Sequence, residues 1–188
     1  DCTAEDAIAW HFEYCSRVRT RMAKEEEKSP ARFEIREDES KDNEKNFAEI
    51  KLLPFLLTNR ELVFKFIWRN NLDGSISVAG FSFNRKVDYG SNMGKLIKVD
   101  IKTLFTATNT EDARGVPQCH IQYQQYLDVG GFVPVWLLNE RVPQSLGVIK
   151  DIMDTFKREK EFDRVALVSL ANTIKNKRQD YTEEEKEA

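Results

Sequence analysis

The sequence has few of the residues on which disordered, disulfide-rich and metal-binding chains depend. Eight glycines and five prolines in 188 residues are too few for a low-complexity chain, and 12 phenylalanines suffice for a sizeable core. The three cysteines, Cys2, Cys15 and Cys119, are odd in number, lie far apart and form no Cys-x-x-Cys pair. Neither a disulfide framework nor a thiolate metal site is therefore predicted, and a reducing, intracellular setting is favoured.

Basic clusters and long apolar runs are also missing. The formal net charge is -3 and no basic face is evident, so we expect no nucleic-acid partner. No apolar run approaches the roughly 18 residues that cross a bilayer, and no signal-peptide pattern opens the sequence. The length is typical of one domain. Because the sequence begins at Asp1 rather than at a methionine, we expect a piece of a longer protein with flanking domains.

Recognisable catalytic motifs are absent as well. His11 and His120 are the only histidines, and neither has a cysteine or carboxylate at a triad or ligand spacing. The sequence contains no G-x-S-x-G, H-E-x-x-H, Walker or Rossmann pattern. Acidic runs such as EEEK, REDES and TEEEKEA are typical of solvated faces. We therefore predict a non-catalytic protein that needs no cofactor and no metal.

The hydrophobic pattern predicts a helix, then antiparallel strands, then a long helix. Apolar residues recur at helical steps from Ile8 to Met22, and this helix ends before Pro30. A second helix of roughly 30 Å is predicted over residues 143–162, with more helix after it. Helices segregated from hairpin-linked strands indicate the α+β class. The predicted strands are ARFEIRE, FAEIKLLP, ELVFKFIWR, SISVAGFSF, KLIKVDIKTLFTAT and CHIQYQQYLDV.

One face of the strand ELVFKFIWR carries a row of large apolar side chains. Period-two alternation places Leu62, Phe64, Phe66 and Trp68 together on that face. Such a row fills a solid core as well as it lines a cavity, and periodicity does not distinguish the two.

The strand CHIQYQQYLDV has one mostly apolar face with two polar tips. Ile121, Tyr123 and Gln125 share this face. The Tyr123 hydroxyl and the Gln125 amide need hydrogen-bond partners when buried, so a ligand's polar end could meet them. Alternatively, the two groups bond each other, a water or the sheet edge.

The ordered set of segments over residues 47–156 resembles the START family, the lipid-transfer domains related to steroidogenic acute regulatory protein. LLTNRELVFKFIWR is similar to the family's bend and strand, with Arg60-Glu61 in place of an Arg-Asp pair. SISVAGFSF fits the next strand. LDVGGFVPVWLLN, residues 127–139, is similar to the family's pattern of Asp, Gly, an apolar pair, Pro and Trp-Leu-x-Asn.

The resemblance implies a helix-grip fold, in which a curved antiparallel sheet wraps around a long C-terminal helix and an internal tunnel holds one lipid. Gly130-Gly131 would turn the last strand sharply. Sterol-binding members carry a buried arginine at the position that corresponds to Phe66, so the resemblance favours a bulkier or more apolar ligand than a sterol. The implied cavity lining is Leu62, Phe64, Phe66, Trp68, Ile121, Tyr123, Gln125, Phe132, Leu146, Ile149, Met153 and Phe156.

Three regions are expected on this basis. Residues 1–29 form an N-terminal helix, residues 31–165 a START-like lipid-binding domain, and residues 166–188 a helical extension with an acidic tail. Whether the first strands of the sheet are included stays open, and a sheet that lacked them would expose an edge.

The resemblance implies non-catalytic binding of a lipid or other hydrophobic small molecule, for lipid transfer or as a lipid-sensing module of a larger protein. Transient contact with a membrane surface and a cytoplasmic or peripheral membrane location go with that function. One alternative is a protein-interaction domain with a solid core and no ligand. Another is an enzyme, because related helix-grip folds host cyclases and hydrolases.

Overall fold

The computed structural model describes residues 1–25, 29–37, 41–54, 56–90, 93–113 and 115–176. The strands lie between two groups of helices, in the order that the sequence predicts. The helices are α1 (Ala4–Phe12), α2 (Arg17–Glu25), α3 (Val135–Ser145), α4 (Val148–Thr155) and α5 (Glu159–Asn176). The strands are β1 (Ala31–Ile35), β2 (Glu44–Lys51), β3 (Arg60–Asn70), β4 (Ile76–Ser82), β5 (Ile97–Lys98), β6 (Asp100–Ala113) and β7 (Val116–Asp128).

The strands form one curved, seven-stranded sheet. Its order is β1-β2-β3-β4-β6-β7, and all of these neighbours pair antiparallel. The two-residue strand β5 lies parallel to the start of β3, where Arg60 pairs with Ile97. The predicted α+β class is confirmed, and so are five of the six predicted strands; the sixth, KLIKVDIKTLFTAT, is divided into β5 and most of β6. The loop between the last two strands is shorter than the ten residues, 109–118, that separate the predicted strands. Strand β6 continues to Ala113, β7 begins at Val116, and the chain turns at Gly115, whose φ is +77°.

The first helix is shorter than predicted, because the chain divides it into α1 and α2. Thr3 caps α1 in a capping box with Asp6, whose backbone N–H donates to the Thr3 hydroxyl. The Arg19 guanidinium donates to the carbonyls of Trp10 and His11 at the end of α1. The Ser16 hydroxyl accepts from the Arg19 backbone N–H and starts α2. The prediction of one continuous helix over this segment is therefore wrong.

The predicted long C-terminal helix is likewise divided, into α3, α4 and α5. Pro143 lies inside α3 rather than near a helix start, and Gly147 separates α3 from α4. Proline removes a helix hydrogen bond and glycine has low helix propensity, so this segment bends readily. The backbone N–H of Arg158 donates to the Asp1 carboxylate, 3.2 Å away, at the break between α4 and α5.

The core lies between the sheet and α1, which packs on β4, β6 and β7. Phe47, Val78 and Phe105 of the sheet are fully buried, and Ile152 of α4 joins the same cluster. By contrast, α5 buries none of its residues. Across the described ranges, no helix combines the length and apolar character needed to span a bilayer.

Candidate functional site

The candidate site is the face of the sheet that α1 covers, here called the inner face. Leu62, Phe64 and Phe66 of β3 belong to it and are almost completely buried, and Trp68 is partly buried. Cross-strand pairing continues the row, since Phe66 lies opposite Gly80 of β4. The face extends through Thr103 and Phe105 of β6 to Tyr123 and Gln125 of β7. The alternation predicted for β3 and β7 is therefore confirmed.

The middle of the inner face is covered by rings of the N-terminal segment. The His11 imidazole stacks on Phe105 with ring centroids 4.3 Å apart, and on Phe66 at 5.1 Å. The Tyr14 ring meets Phe64 edge-on at 5.1 Å. Phe64 and Phe66, two of the predicted lining residues, are thus packed against the chain's own aromatic side chains. The sequence had no signal for these contacts, because periodicity does not show which helix lies on which face.

His11 is a neutral imidazole in this position. Its side chain is 3% exposed, and neither ring nitrogen has a hydrogen-bond partner among the described residues. Burial, with a smaller effect from the charge of Arg19, lowers the His11 pKa from 6.5 to about 3. Two unpaired nitrogens in an aromatic cluster disfavour the packed state, so α1 is held here less strongly than by an apolar ring.

The β7 part of the inner face is less covered and has polar groups without partners. Ile121, Tyr123 and Gln125 are partly exposed. Gln122 and Gln124, which alternate with them along the strand, are exposed to solvent. Neither the Tyr123 hydroxyl nor the Gln125 amide bonds to another described residue, so they do not bond each other. The neighbouring Thr103 hydroxyl is buried and also lacks a partner among those residues. Burial raises the Tyr123 pKa to about 12, which keeps its hydroxyl protonated.

The C-terminal helices bring only part of the predicted lining to the inner face. Ile149 and Phe156 pack partly buried against the core, together with the buried Ile152. Leu146 and Met153 are 46% and 63% exposed. The prediction that Met153 faces the sheet is therefore corrected to Ile152, because the step from Ile149 to the next core residue of α4 is three residues rather than four.

Phe132, also predicted to line the site, lies outside the inner face and is 80% exposed. Val135 and Trp136 are exposed nearby, at the start of α3. The preceding turn is built as the sequence predicts, since Gly130 has φ +61° and a Cβ there would lie 2.9 Å from the Lys98 carbonyl oxygen.

Arg60 holds this turn to the sheet. Its Nε donates to the Val129 carbonyl at 2.7 Å and its Nη2 to the Gly130 carbonyl at 3.0 Å. Burial lowers the pKa of the guanidinium, which remains charged at neutral pH. The chain thus fixes the end of β7 beside the start of β3, next to the inner face.

A buried ionic cluster closes the β1–β2 end of the inner face. The Glu49 side chain is fully buried and accepts from Arg32 Nη2 at 2.8 Å and from the Tyr14 hydroxyl. Lys51 Nζ lies 2.8 Å from the same carboxylate. Burial alone would raise the Glu49 pKa, but Lys51 and Arg32 outweigh it and hold the pKa below its ordinary value. Alternation in FAEIK places Glu49 on the face of Phe47, so the sequence does carry a signal for the position of this carboxylate.

Two open grooves lie away from the aromatic row. One, of about 690 Å³, runs between Val116 and the Val165–Val168 side of α5, and the other, of about 470 Å³, lies beside Val63 and Lys98. Among the described residues, no three His, Cys, Asp or Glu side chains are grouped so that they could hold a metal ion.

Comparison with known proteins supports the architecture. No protein-family model matches the sequence, and no curated protein sequence matches it. A solved fragment of a STAR-related lipid transfer protein from Xanthomonas axonopodis is similar, with a TM-score of 0.53, 20% identity and coverage of 79% of this chain and 76% of that one. Human STARD10 is similar with a TM-score of 0.53 and 16% identity.

The match to STARD10 covers 90% of this chain but only 64% of the STARD10 chain. At these identities the similarity concerns the fold. Together with the curved antiparallel sheet and the helices that follow it, this similarity shows that the chain has a START-like, helix-grip fold.

Proposed function

We propose that the chain binds one lipid, or a similarly hydrophobic small molecule, on the inner face of its sheet and catalyses no reaction on it. The observation that carries this proposal is the set of partly exposed apolar side chains that pack against the buried core from β7 and from α4. Ile121 and Tyr123 contribute to this set from β7, and Ile149 and Phe156 contribute from α4 and its C-terminal end. A monomeric domain rarely leaves such a surface next to its core without a use for it.

The fold gives independent support, since one protein with the same fold is described as a lipid transfer protein. Burying about 300 Å² of apolar ligand surface would contribute roughly 7 kcal/mol before the costs of binding are subtracted. The polar tips of Tyr123 and Gln125, and the Thr103 hydroxyl that lacks a partner among the described residues, would bond a ligand's polar end. Such groups prefer a neutral hydroxyl, ester or amide to a bare charge.

Entry of a ligand requires a helix to move. Among the described residues of α4, Ile152 alone is fully buried. A helix with so small a buried contact opens at lower free energy than a core helix, as a lid must. The exposed Phe132, Val135 and Trp136 lie just before and at the start of α3, where they could touch a membrane surface during exchange. Transfer between membranes and lipid sensing in a larger cytoplasmic protein both use this step.

A protein-interaction domain with a solid core is the second candidate. The stacking of His11 on Phe66 and of Tyr14 on Phe64 favours it, because these rings fill the middle of the inner face. The two candidates differ in one measurable respect: only the first takes up a lipid in a fixed ratio.

Native mass spectrometry of the full chain, after incubation with vesicles of mixed lipids, tests the proposal. We expect one added lipid mass per chain, and we expect Tyr123→Ala on the inner face to reduce it severalfold. Tyr126→Ala, on the exposed face of the same strand, is the matched control and should leave uptake unchanged. A chain that stays empty after exposure to a broad lipid extract would support the solid-core candidate instead.

A further inference from the structure

Two cysteine sulfurs that are far apart in sequence meet at the edge of the inner face. Cys2 Sγ lies 3.8 Å from Cys119 Sγ, and both thiols are free. We propose that this pair is a modification site, at which a two-electron oxidant of the peroxide class joins Cys2 to Cys119 in a disulfide. The bond would fasten the start of α1 to β7.

Two hydrogen bonds of neighbouring residues hold the segments of Cys2 and Cys119 beside each other. The Ala4 backbone N–H donates to Asn109 Oδ1 at 2.6 Å, and Asn109 lies directly opposite Cys119 in the β6–β7 pairing. The Gln118 amide donates to the Asp1 carboxylate at 3.3 Å. Residues on both sides of Cys2 are thus anchored beside Cys119. A disulfide needs the sulfurs at about 2.05 Å, so they must approach by roughly 2 Å, which side-chain rotation can supply.

The reaction balances with one peroxide per disulfide. The Cys119 thiolate attacks a peroxide oxygen, the O–O bond breaks, and a sulfenic acid and hydroxide form. Cys2, after losing its proton to solvent, attacks the Cys119 sulfur, and hydroxide leaves as the S–S bond forms. Two thiols and one hydrogen peroxide become one disulfide and two waters. Cys119 is the partly exposed member of the pair, whereas Cys2 is buried, so the oxidant reaches Cys119 first.

The oxidation should be slow at neutral pH. Burial and the adjacent Cys2 sulfur raise the Cys119 pKa to about 12, and only the thiolate is a nucleophile. The rate should therefore rise about tenfold for each pH unit below that value. Such a pair stays reduced when the protein meets the oxidant briefly, and it forms the disulfide only when the oxidant persists.

The bond would fix the helix that covers the aromatic row. Cys2 lies directly before Thr3, the N-cap of α1, and the end of α1 places His11 over Phe66 and Phe105. The same segment reaches the C-terminal helices, because Asp1 accepts from the Arg158 backbone N–H. If the inner face binds lipid as proposed above, the disulfide would keep it closed.

Peptide mapping of the full chain tests the pairing. The reduced protein is treated with hydrogen peroxide, free thiols are alkylated, and the digest is sequenced by mass spectrometry. We expect one cross-linked pair of peptides that joins Cys2 to Cys119, with Cys15 alkylated. The cross-link should persist in Cys15→Ser and disappear in Cys119→Ser. A bond to Cys15, a bond between chains, or over-oxidation of Cys119 without any cross-link would overturn the proposal. The wild-type map needs no variant and is informative even if a variant folds poorly.

Hydrogen exchange tests the effect on α1. In the cross-linked chain, exchange of the α1 amides should slow by about tenfold or more, and reduction with dithiothreitol should reverse this. Equal exchange in the two forms would contradict the fastening of α1. Lipid uptake is then compared in the same samples, where we expect a loss on cross-linking, and equal uptake in both forms would contradict closure. If even the reduced chain takes no lipid, the proposed function fails while the cross-link map stands on its own.

Discussion

Replacing His11 by phenylalanine should stabilise the protein. Phenylalanine keeps a planar ring for the stacks on Phe66 and Phe105 and removes two nitrogens that have no partner among the described residues. A buried polar group without a hydrogen bond costs about 1–3 kcal/mol. We therefore expect the free energy of unfolding of His11→Phe at pH 7 to rise by about 1–2 kcal/mol. The gain is not larger because the phenyl ring is bigger than the imidazole, and its tighter packing offsets part of the stabilisation.

The stabilisation should grow as the pH falls. In the folded chain His11 has a pKa of about 3, whereas in the unfolded chain it returns to about 6.5. Between these values the unfolded state binds one more proton, so protonation favours unfolding. At pH 5 this costs the wild type about 2 kcal/mol, because each pH unit below the unfolded pKa is worth about 1.4 kcal/mol. The cost is small at pH 7 and absent in His11→Phe.

Urea unfolding followed by circular dichroism at pH 5 and pH 7 measures both effects. His120→Phe, on the exposed face of β7, is the matched control and should change stability by less than about 0.5 kcal/mol at either pH. A variant that is less stable than wild type at pH 7, or a stability difference that does not grow at pH 5, would refute the placement of His11 in the aromatic cluster.

Three further substitutions test other parts of the fold by urea unfolding. Arg60→Met removes the donors that hold the turn after β7 and should cost about 3 kcal/mol, with Arg60→Lys intermediate. Gly80→Ala should cost about 1–3 kcal/mol, because the added Cβ would lie 2.3 Å from the Thr103 hydroxyl oxygen. Glu49→Gln should cost about 3 kcal/mol, because it removes the buried negative charge that Arg32 and Lys51 contact.

Each of these substitutions has a specific control. For Gly80→Ala, adding Thr103→Ala should restore part of the loss, because Phe66 Cε1 would still lie 2.6 Å from the added Cβ. A Gly80→Ala variant as stable as wild type would contradict the close approach. The Glu49 pKa is lowered, so its contribution is present above about pH 4.5 and fades in more acidic solution, and Glu49→Gln should lose that dependence. Arg60→Met that unfolds like wild type would show that the turn is held by other contacts.

The strands could be predicted from the sequence because their signals are local. In β7 the alternation matches the two faces of the sheet residue by residue, and in β3 it places the row from Leu62 to Trp68 on the core face, although the start of β3 is buried on both faces. The turn at Gly130 was equally predictable, because the pair Gly130-Gly131 indicates a sharp turn after a strand. The structure shows why glycine is needed there: Gly130 has a positive φ and lies close to a backbone carbonyl. These features explain why the fold class and the β3 part of the inner face followed from the pattern.

The helices were predicted less well because their limits depend on distant residues. Arg19 closes α1 through contacts made only in the folded chain, and Asp1 binds the backbone at the break before α5. The pattern gave no sign that α1 covers Phe66, or that Cys2 reaches Cys119. Such long-range contacts decide whether the inner face is open, and no local period encodes them.

The position of a bound lipid tests the account most directly. A lipid with a nitroxide on its acyl chain should broaden the NMR signals of inner-face groups, with Ile121, Tyr123 and Ile149 the most affected. Tyr126, on the opposite face of β7, should keep its signal. Broadening confined to the exposed Phe132, Trp136 and α5 side chains, or no broadening at all, would contradict binding on the inner face.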